Sequence, residues 1–93
     1  MLLGICTVNL YFPDSHSLKD KRNIIKSIKS RVRNNFNVSV SELDSHEKWQ
    51  RALIGIAAIG NEKRAVDAVL AKIVEFANRE KSLEVIDYTT ELL

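Results

Sequence analysis

The sequence predicts an α+β fold of the ferredoxin-like type, in which a four-stranded antiparallel sheet in the order 4-1-3-2 carries two helices on one face. Strand-like and helix-like segments follow one another as β-α-β-β-α-β within a single domain, residues 1–93. Right-handed crossovers restrict the topologies that this order allows. The two most apolar strands, the first and the third, are central in the predicted sheet, and the two polar strands lie at its edges.

The first strand is predicted over residues 2–12, where apolar residues alternate onto one side: Leu2, Cys6, Val8, Leu10 and Phe12. Pro13 ends this strand because proline has no N–H for the ladder. Ser17 then fits a helix N-cap, with Asp20 as a weaker capping-box partner. A helix from about 18 to 35 follows, since apolar residues recur at helical spacing: Leu18, Ile24, Ile25, Ile28 and Val32.

The second half of the chain repeats the pattern in a different order. Alternation over 37–43 predicts a half-buried or edge strand, and the apolar run 49–59 predicts a central strand. Gly60 and Asn61 predict a strand end and a new helix cap. The second helix has one apolar face, formed by Ala65, Val66, Val69, Leu70, Ile73, Val74 and Ala77. The polar-apolar segment 82–93 is predicted to be the last strand.

Composition favours an ordinary globular protein in a reducing compartment. The chain is 45% hydrophobic and 28% charged, and its one cysteine excludes an intramolecular disulfide. The apolar start has no cationic n-region or small-residue cleavage pattern, and it stops at Pro13, too early to span a bilayer. We therefore expect a cytoplasmic protein without membrane association.

The net charge of +2 conceals a strong asymmetry. Residues 18–35 contain seven Lys/Arg and one acid, a balance of +6, whereas the rest of the chain has a balance of −4. At 100° per residue, five of these cations fall within an arc of about 80° and extend over about 21 Å. We call them the basic stripe: Lys19, Arg22, Lys26, Lys29 and Arg33.

Three hypotheses explain the basic stripe. No acid stands at i+3 or i+4 to neutralise any of the five cations, which distinguishes them from a salt-bridged helix face. The stripe would meet the phosphates of a nucleic acid, or an acidic protein partner. In the third hypothesis, the stripe is a solvated surface whose positive charge is balanced by the acidic second helix.

The triplet Asp-Ser-His occurs twice, at Asp14–His16 and Asp44–His46. Parallel first and second strands would place both triplets at one end of the sheet, where two Asp and two His have the chemistry to bind zinc. The third strand separates the two loops by roughly 10 Å, however. Since Asp and Ser are ordinary turn and cap residues, we predict turns and no metal or cofactor, with a pH-sensitive His contact as a further alternative.

Signals for catalysis are weak. Cys6 lies in mid-strand on the predicted core side, where a thiol behaves as a small hydrophobe. The sequence contains no nucleophile elbow, P-loop or dinucleotide-binding turn, and its three glycines are scattered. We predict that the protein is not an enzyme, has no catalytic residues and takes no small-molecule substrate.

The sheet face opposite the helices is predicted to be apolar, formed by Leu3, Ile5, Tyr11, Trp49, Leu53 and Ile59. This is more apolar surface than a small monomer leaves in water. An RNA-recognition sheet would need aromatic residues in mid-strand, where Ile5, Thr7, Leu53 and Gly55 stand. Homodimerisation is therefore favoured over another protein partner, base stacking or an unexceptional surface.

Three segments together resemble the YlxP-like bacterial family, a domain family of unknown function: "SLKDKR" in the first helix, "FNVSVSE" in the second strand and "WQRALIGIA" in the third. The resemblance covers essentially the whole chain. It implies a ferredoxin-like fold and supplies no catalytic residues. Genes of such proteins often lie beside those for translation initiation factor 2 and ribosome-binding factor A, which implies, by association only, a role near ribosome assembly or translation.

The sequence thus predicts a small non-enzymatic cytoplasmic protein, a homodimer, that contacts ribosomal RNA or a ribosomal particle through the basic stripe. The alternative hypothesis is a homodimeric protein-interaction module that uses the apolar sheet face and has no nucleic-acid role.

Overall fold

The protein is described by a computed structural model that covers residues 1–44 and 48–93. Its elements are β1 (Leu2–Tyr11), α1 (Leu18–Asn35), β2 (Ser39–Asp44), β3 (Arg51–Gly60), α2 (Lys63–Asn78) and β4 (Glu84–Leu92). The predicted order of strands and helices is confirmed. Trp49 was predicted to open the third strand, but it lies before β3, which begins at Arg51.

The four strands form one antiparallel sheet in the order β2-β3-β1-β4, which is the predicted order counted from the other edge. Central β1 pairs with β3 from Leu2↔Gly60 to Tyr11↔Arg51 and with β4 on its other side. The pairing shifts register between Asn9 and Leu10 opposite β4 and near the end of β2. The right-handed crossovers remain a prediction.

The core lies between one face of the sheet and the two helices. The predicted inward residues of the central strands are buried: Cys6, Val8, Leu10, Phe12, Ala52, Ile54, Ile56 and Ala58. They pack with the apolar sides of both helices, including Ile28 of α1 and Leu70 of α2. A Cβ at Gly4 would lie 2.4 Å from Val66 Cγ1, so the glycine allows α2 to approach β1 closely.

The start of α1 follows the sequence prediction with one change. The Ser17 hydroxyl accepts a hydrogen bond from the Asp20 N–H at 3.0 Å, as predicted for an N-cap. The Asp20 carboxylate accepts from the N–H of His16, also at 3.0 Å, rather than from that of Ser17. Ser15 is buried and donates to the Ser17 carbonyl. Residues 13–17 therefore form a turn and a helix cap.

The prediction of an Asn61 cap is wrong. The N-cap of α2 is Glu62, and its side chain makes no capping hydrogen bond. Because β3 extends through Gly60, Asn61 and Glu62 make the connection, and helical geometry begins only at Lys63. Among residues 1–44 and 48–93, neither helix is long and apolar enough to cross a membrane.

Candidate functional site

The basic stripe lies along one flank of α1, beside edge strand β2. Four of its residues are exposed and Lys29 is half-buried. The buried positions of the helix, which include Ile25, Ile28 and Val32, point to the core. The stripe is centred roughly a quarter to a third of a turn away from them, because residues advance by 100° along a helix.

A groove runs between this flank and β2. It has a volume of about 430 Å³ and is lined by Arg22, Ile25, Lys26, Lys29, Ser30, Arg33, Asn34 and Glu42. The structure therefore brings four of the five stripe residues into one concave surface. Lys19, in the first turn of the helix, is outside this lining.

The groove carries a net positive charge. In the described parts of the chain, none of the five stripe residues forms an ion pair. Among the described lining residues the carboxylate is that of Glu42, which lies 3.5 Å from the ammonium group of Lys21, outside the stripe. Arg33 donates a 3.0 Å hydrogen bond to the carbonyl of Val40 and so ties α1 to β2. The guanidinium keeps its charge in this neutral contact.

The acidic residues in and just beyond α2 form ion pairs with other bases, so they do not neutralise the basic stripe. Arg31, on the other flank of α1, pairs with Glu80 just beyond the end of α2, and its guanidinium lies 5.5 Å from the centre of the Phe76 ring. Within α2, Asp67 pairs with Lys63 at 2.8 Å, and Glu75 pairs with Arg79 at 3.8 Å. The hypothesis of a stripe neutralised by the second helix has no support from these contacts.

Sequence reasoning missed the burial of Lys21, which it treated only as part of the basic segment. The residue is 2% exposed, and its ammonium donates to the Arg51 carbonyl at 3.3 Å besides approaching Glu42. Its spacing to Ile25 and Ile28 places it on the apolar side of α1 and was the available signal. Lys21 joins α1 to β2 and β3, and its charge is compensated within the fold.

The Asp-Ser-His triplets are only partly described. Asp14 and His16 are exposed at the turn before α1. Ser45 and His46 lie outside the described residues. Within 1–44 and 48–93, no group of three or more His, Cys, Asp or Glu is placed to hold a metal ion.

The predicted apolar face is present but uneven. Leu3, Ile5, Tyr11 and Leu53 are half-buried, whereas Trp49 is 51% and Ile59 62% exposed. Leu3 lies directly opposite Ile59, so these two side chains meet at one end of the sheet. Tyr11 stands opposite Arg51 at the other end of this strand pair, and Leu53 stands opposite Asn9.

Leu43 belongs to the same face and was missed. It is 51% exposed, and a Cβ on Gly55 would lie only 2.8 Å from its Cδ1 atom. Leu43 follows Ser39 and Ser41 at a spacing of two residues, so alternation with buried Val40 was the available signal for its place on this face. Beside Leu43 is a hollow of about 240 Å³, lined by Ile5, Ser39, Val40, Ser41, Leu43, Gly55, Ile56 and Ala57.

Cys6 has no solvent exposure. Burial raises the pKa of its thiol, and a hydrogen bond with the Thr90 side chain opposes this shift. The thiol is therefore protonated near neutral pH and does not present a thiolate nucleophile.

Comparison with known proteins finds similarity over nearly the whole chain. A family model described as "Protein of unknown function (DUF503)" matches residues 3–90. The chain is also similar to the uncharacterized protein YlxP of Bacillus subtilis (strain 168), with 34% identity over 83 residues that cover 89% of this chain and 90% of that protein. Both matches include the two helices that frame the core.

Proposed function

This chain belongs to the DUF503 protein family, and we propose that it binds the phosphate backbone of RNA in the groove between α1 and β2. The membership confirms the YlxP-like resemblance predicted from the sequence. The observation that carries the proposal is the concentration of Arg22, Lys26, Lys29 and Arg33 in one groove, where the carboxylate among the described lining residues lies beside Lys21.

The groove suits a phosphate chain better than a single anion. The stripe is about 21 Å long and straight, so it presents cations to successive phosphates while the helix supplies a rigid support. Arg22 and Arg33 have the planar guanidinium groups that bind phosphate oxygens in pairs, and Lys26 and Lys29 act as point charges between them.

Recognition in this groove is independent of base sequence. None of the eight described lining residues is aromatic, so these side chains offer no ring on which a base would stack. Phosphate contacts position a nucleic acid without specifying its bases. Ribosomal RNA or a ribosomal particle is the ligand we favour, because the family resemblance implies a genetic association with translation factors. In this role the protein is a non-enzymatic cytoplasmic binding factor.

Sedimentation with ribosomal subunits at low and high salt tests the proposal. We expect the wild-type protein to co-sediment at low salt and to be released at high salt. With a purified RNA, the slope of log K against log salt should be about −3.5 to −4.5 if all five stripe residues contact phosphates. A slope near zero contradicts the proposal.

A charge-reversed variant identifies the surface. The substitutions Arg22→Glu, Lys26→Glu and Lys29→Glu should abolish binding. The matched control is Arg64→Glu, Lys72→Glu and Lys81→Glu, which makes the same change in charge at exposed positions away from the groove. If both triple variants lose binding equally, only net charge matters and the groove is not the site.

A second candidate function is self-association through the apolar sheet face. The exposed Leu43 lines a hollow together with Ile5, Gly55 and Ala57, and Ile59 is exposed on the same face, so one copy offers both projecting side chains and a recess for a second copy. Light scattering should give twice the monomer mass for the wild type and the monomer mass for Leu53→Asp and Ile59→Asp. Equal masses for all three proteins remove this candidate.

A further inference from the structure

The outer edge of β4 is open along its length. Strand β4 has nine residues, pairs only with β1, and is exposed at every residue except Val85. The other edge strand, β2, is shorter and has one of its outward carbonyls, that of Val40, bonded to Arg33. A long edge strand with free backbone groups is a template for the addition of another strand.

The register shows which backbone groups of β4 point outward. Leu3 and Leu93 exchange two backbone hydrogen bonds, at 3.4 and 2.7 Å, so they are a hydrogen-bonded pair of the antiparallel ladder. Such pairs alternate with pairs that are not bonded to each other. Counting along the register, the N–H and C=O groups of Tyr88, Thr90 and Leu92 face away from β1.

The side chains of β4 divide by chemistry between the two faces of the sheet. Glu84, Asp87 and Glu91 stand opposite residues of the open face, and none of these carboxylates has an ion-pair partner within the described ranges. Tyr88 and Leu92 stand opposite Val8 and Gly4, which face the helices. They are nevertheless 52% and 37% exposed, because the helix layer does not cover them.

We propose that β4 is a docking edge for an extended segment of a partner protein in which basic and apolar residues alternate. The backbone of that segment would bond to Tyr88, Thr90 and Leu92. Its basic side chains would lie beside the three carboxylates, and its apolar side chains would extend the core over Tyr88 and Leu92. This is the strand-addition mode of peptide recognition.

Charge complementarity selects this partner over a second copy of the chain. Pairing two β4 strands would bring six carboxylates onto one sheet face, and β4 contains no Lys or Arg to offset them. Strand β2 of a second copy offers no base of its own, and the basic stripe beside it belongs to α1, on the opposite side of the sheet from the face that carries the three carboxylates. The proposal is independent of the groove on α1, since it uses the opposite edge of the sheet.

A nine-residue peptide of alternating Lys and Val, blocked at both ends, is the probe. We expect fluorescence anisotropy to show that it binds the wild-type protein at least about tenfold more tightly than a peptide of the same composition with Lys and Val in two blocks, because only the alternating peptide matches both faces of β4. Equal affinities, or no binding of either peptide, overturn the proposal.

Thr90→Pro tests the backbone contact. It removes one outward N–H without removing a ladder bond to β1, and proline is tolerated at such edge positions. Thr90→Val is the matched control, since both substitutions lose the hydroxyl contact with Cys6 and only proline loses the N–H. We expect Thr90→Pro to weaken peptide binding about tenfold relative to Thr90→Val, the effect of about one hydrogen bond. Equal binding by the two variants contradicts strand addition.

Charge reversal gives an independent test if Thr90→Pro fails to fold. A variant with Glu84→Lys, Asp87→Lys and Glu91→Lys should lose the Lys-Val peptide and bind an alternating Glu-Val peptide instead. Retention of the original preference overturns the proposal. So does concentration-dependent self-association of the wild type that Thr90→Pro abolishes and Thr90→Val does not, because the occupant would then be a second copy.

Discussion

Strands β2 and β4 are the two edges of one sheet, yet they differ in cover, charge and hydrogen bonding. Beside β2 runs the basic flank of α1, and Arg33 occupies a carbonyl of the strand. Along the outer edge of β4 no described element provides such cover, and three carboxylates follow the strand. The comparison shows that the charge asymmetry of the sequence is a separation in space, with cations at one edge and anions at the other.

Under the two proposals the edges would bind their ligands differently. At β2, where α1 lies beside the strand, a phosphate chain would meet side-chain cations and few free backbone groups. At β4 a partner segment would meet backbone groups directly, and the side chains would select its charge and polarity. Four predictions test these differences, from the largest expected effect to the smallest.

The largest effect is expected from Lys21→Met, which removes a contact between α1 and edge strand β2. The substitution removes the ammonium near Glu42 and leaves that carboxylate partly buried, at 24% side-chain exposure, without its charged neighbour. We expect the free energy of unfolding in urea to fall by about 2 to 4 kcal/mol. Lys19→Met, at an exposed position two residues earlier, is the control and should change it little. Equal losses would show that α1 loses stability for another reason.

Amide hydrogen exchange should alternate along the open edge. The outward N–H groups of Tyr88, Thr90 and Leu92 should exchange at least about tenfold faster than those of Thr89 and Glu91, which bond to β1. NMR measures each rate in one experiment. Uniform protection along β4 would mean that something already covers this edge in solution.

Arg33→Gln should moderately weaken the contact between α1 and edge strand β2. Loss of the charged donor to the Val40 carbonyl should lower the free energy of unfolding by about 1 kcal/mol. Lys26→Gln is matched in charge and lies in the same groove, and no hydrogen bond to β2 would be lost with it. If the two variants are equally stable, the contact with Val40 does not hold the edge in solution.

The smallest effect concerns Cys6 of β1, which pairs with Thr90 of edge strand β4. Burial raises the pKa of the folded thiol above its ordinary value of 9.0, so only the unfolded thiol ionises readily. The contribution of this thiol to the free energy of unfolding is fully present below the ordinary pKa of 9.0 and is lost as pH rises through the pKa of the folded thiol. Relative to Cys6→Val, the wild type should lose stability as pH rises through 9.0 in urea titrations. A difference that does not change with pH contradicts the burial of the thiol.

Local patterns were sufficient to predict the order of the elements and the two faces of the central strands. Strict alternation in β1 and helical spacing in α1 reflect burial directly, so their inward residues could be assigned without tertiary information. The basic stripe follows from helical spacing for the same reason. Helical spacing does not predict that the stripe lines a groove. The groove depends on which side of α1 lies beside β2, and this depends on how the helix crosses the sheet.

The residues that were missed depend on contacts distant in sequence. Lys21 is buried only because Glu42 and the Arg51 carbonyl approach its ammonium, and its residue type suggested solvent. Leu43 is a different case, because alternation with Val40 already placed it on the open face beside Ser41 without any distant contact. The helix cap at Glu62 instead of Asn61 reflects the extension of β3 through Gly60.

The hydrogen bond from Arg33 to Val40 has a mechanical consequence. A guanidinium has five N–H donors, so most of them stay available to the groove while one remains on the strand. A phosphate held by these donors would be linked through a single planar group to the backbone of β2. Ligand binding in the groove would then strengthen the contact between α1 and the sheet. It would be measured as an increase in the melting temperature of the protein.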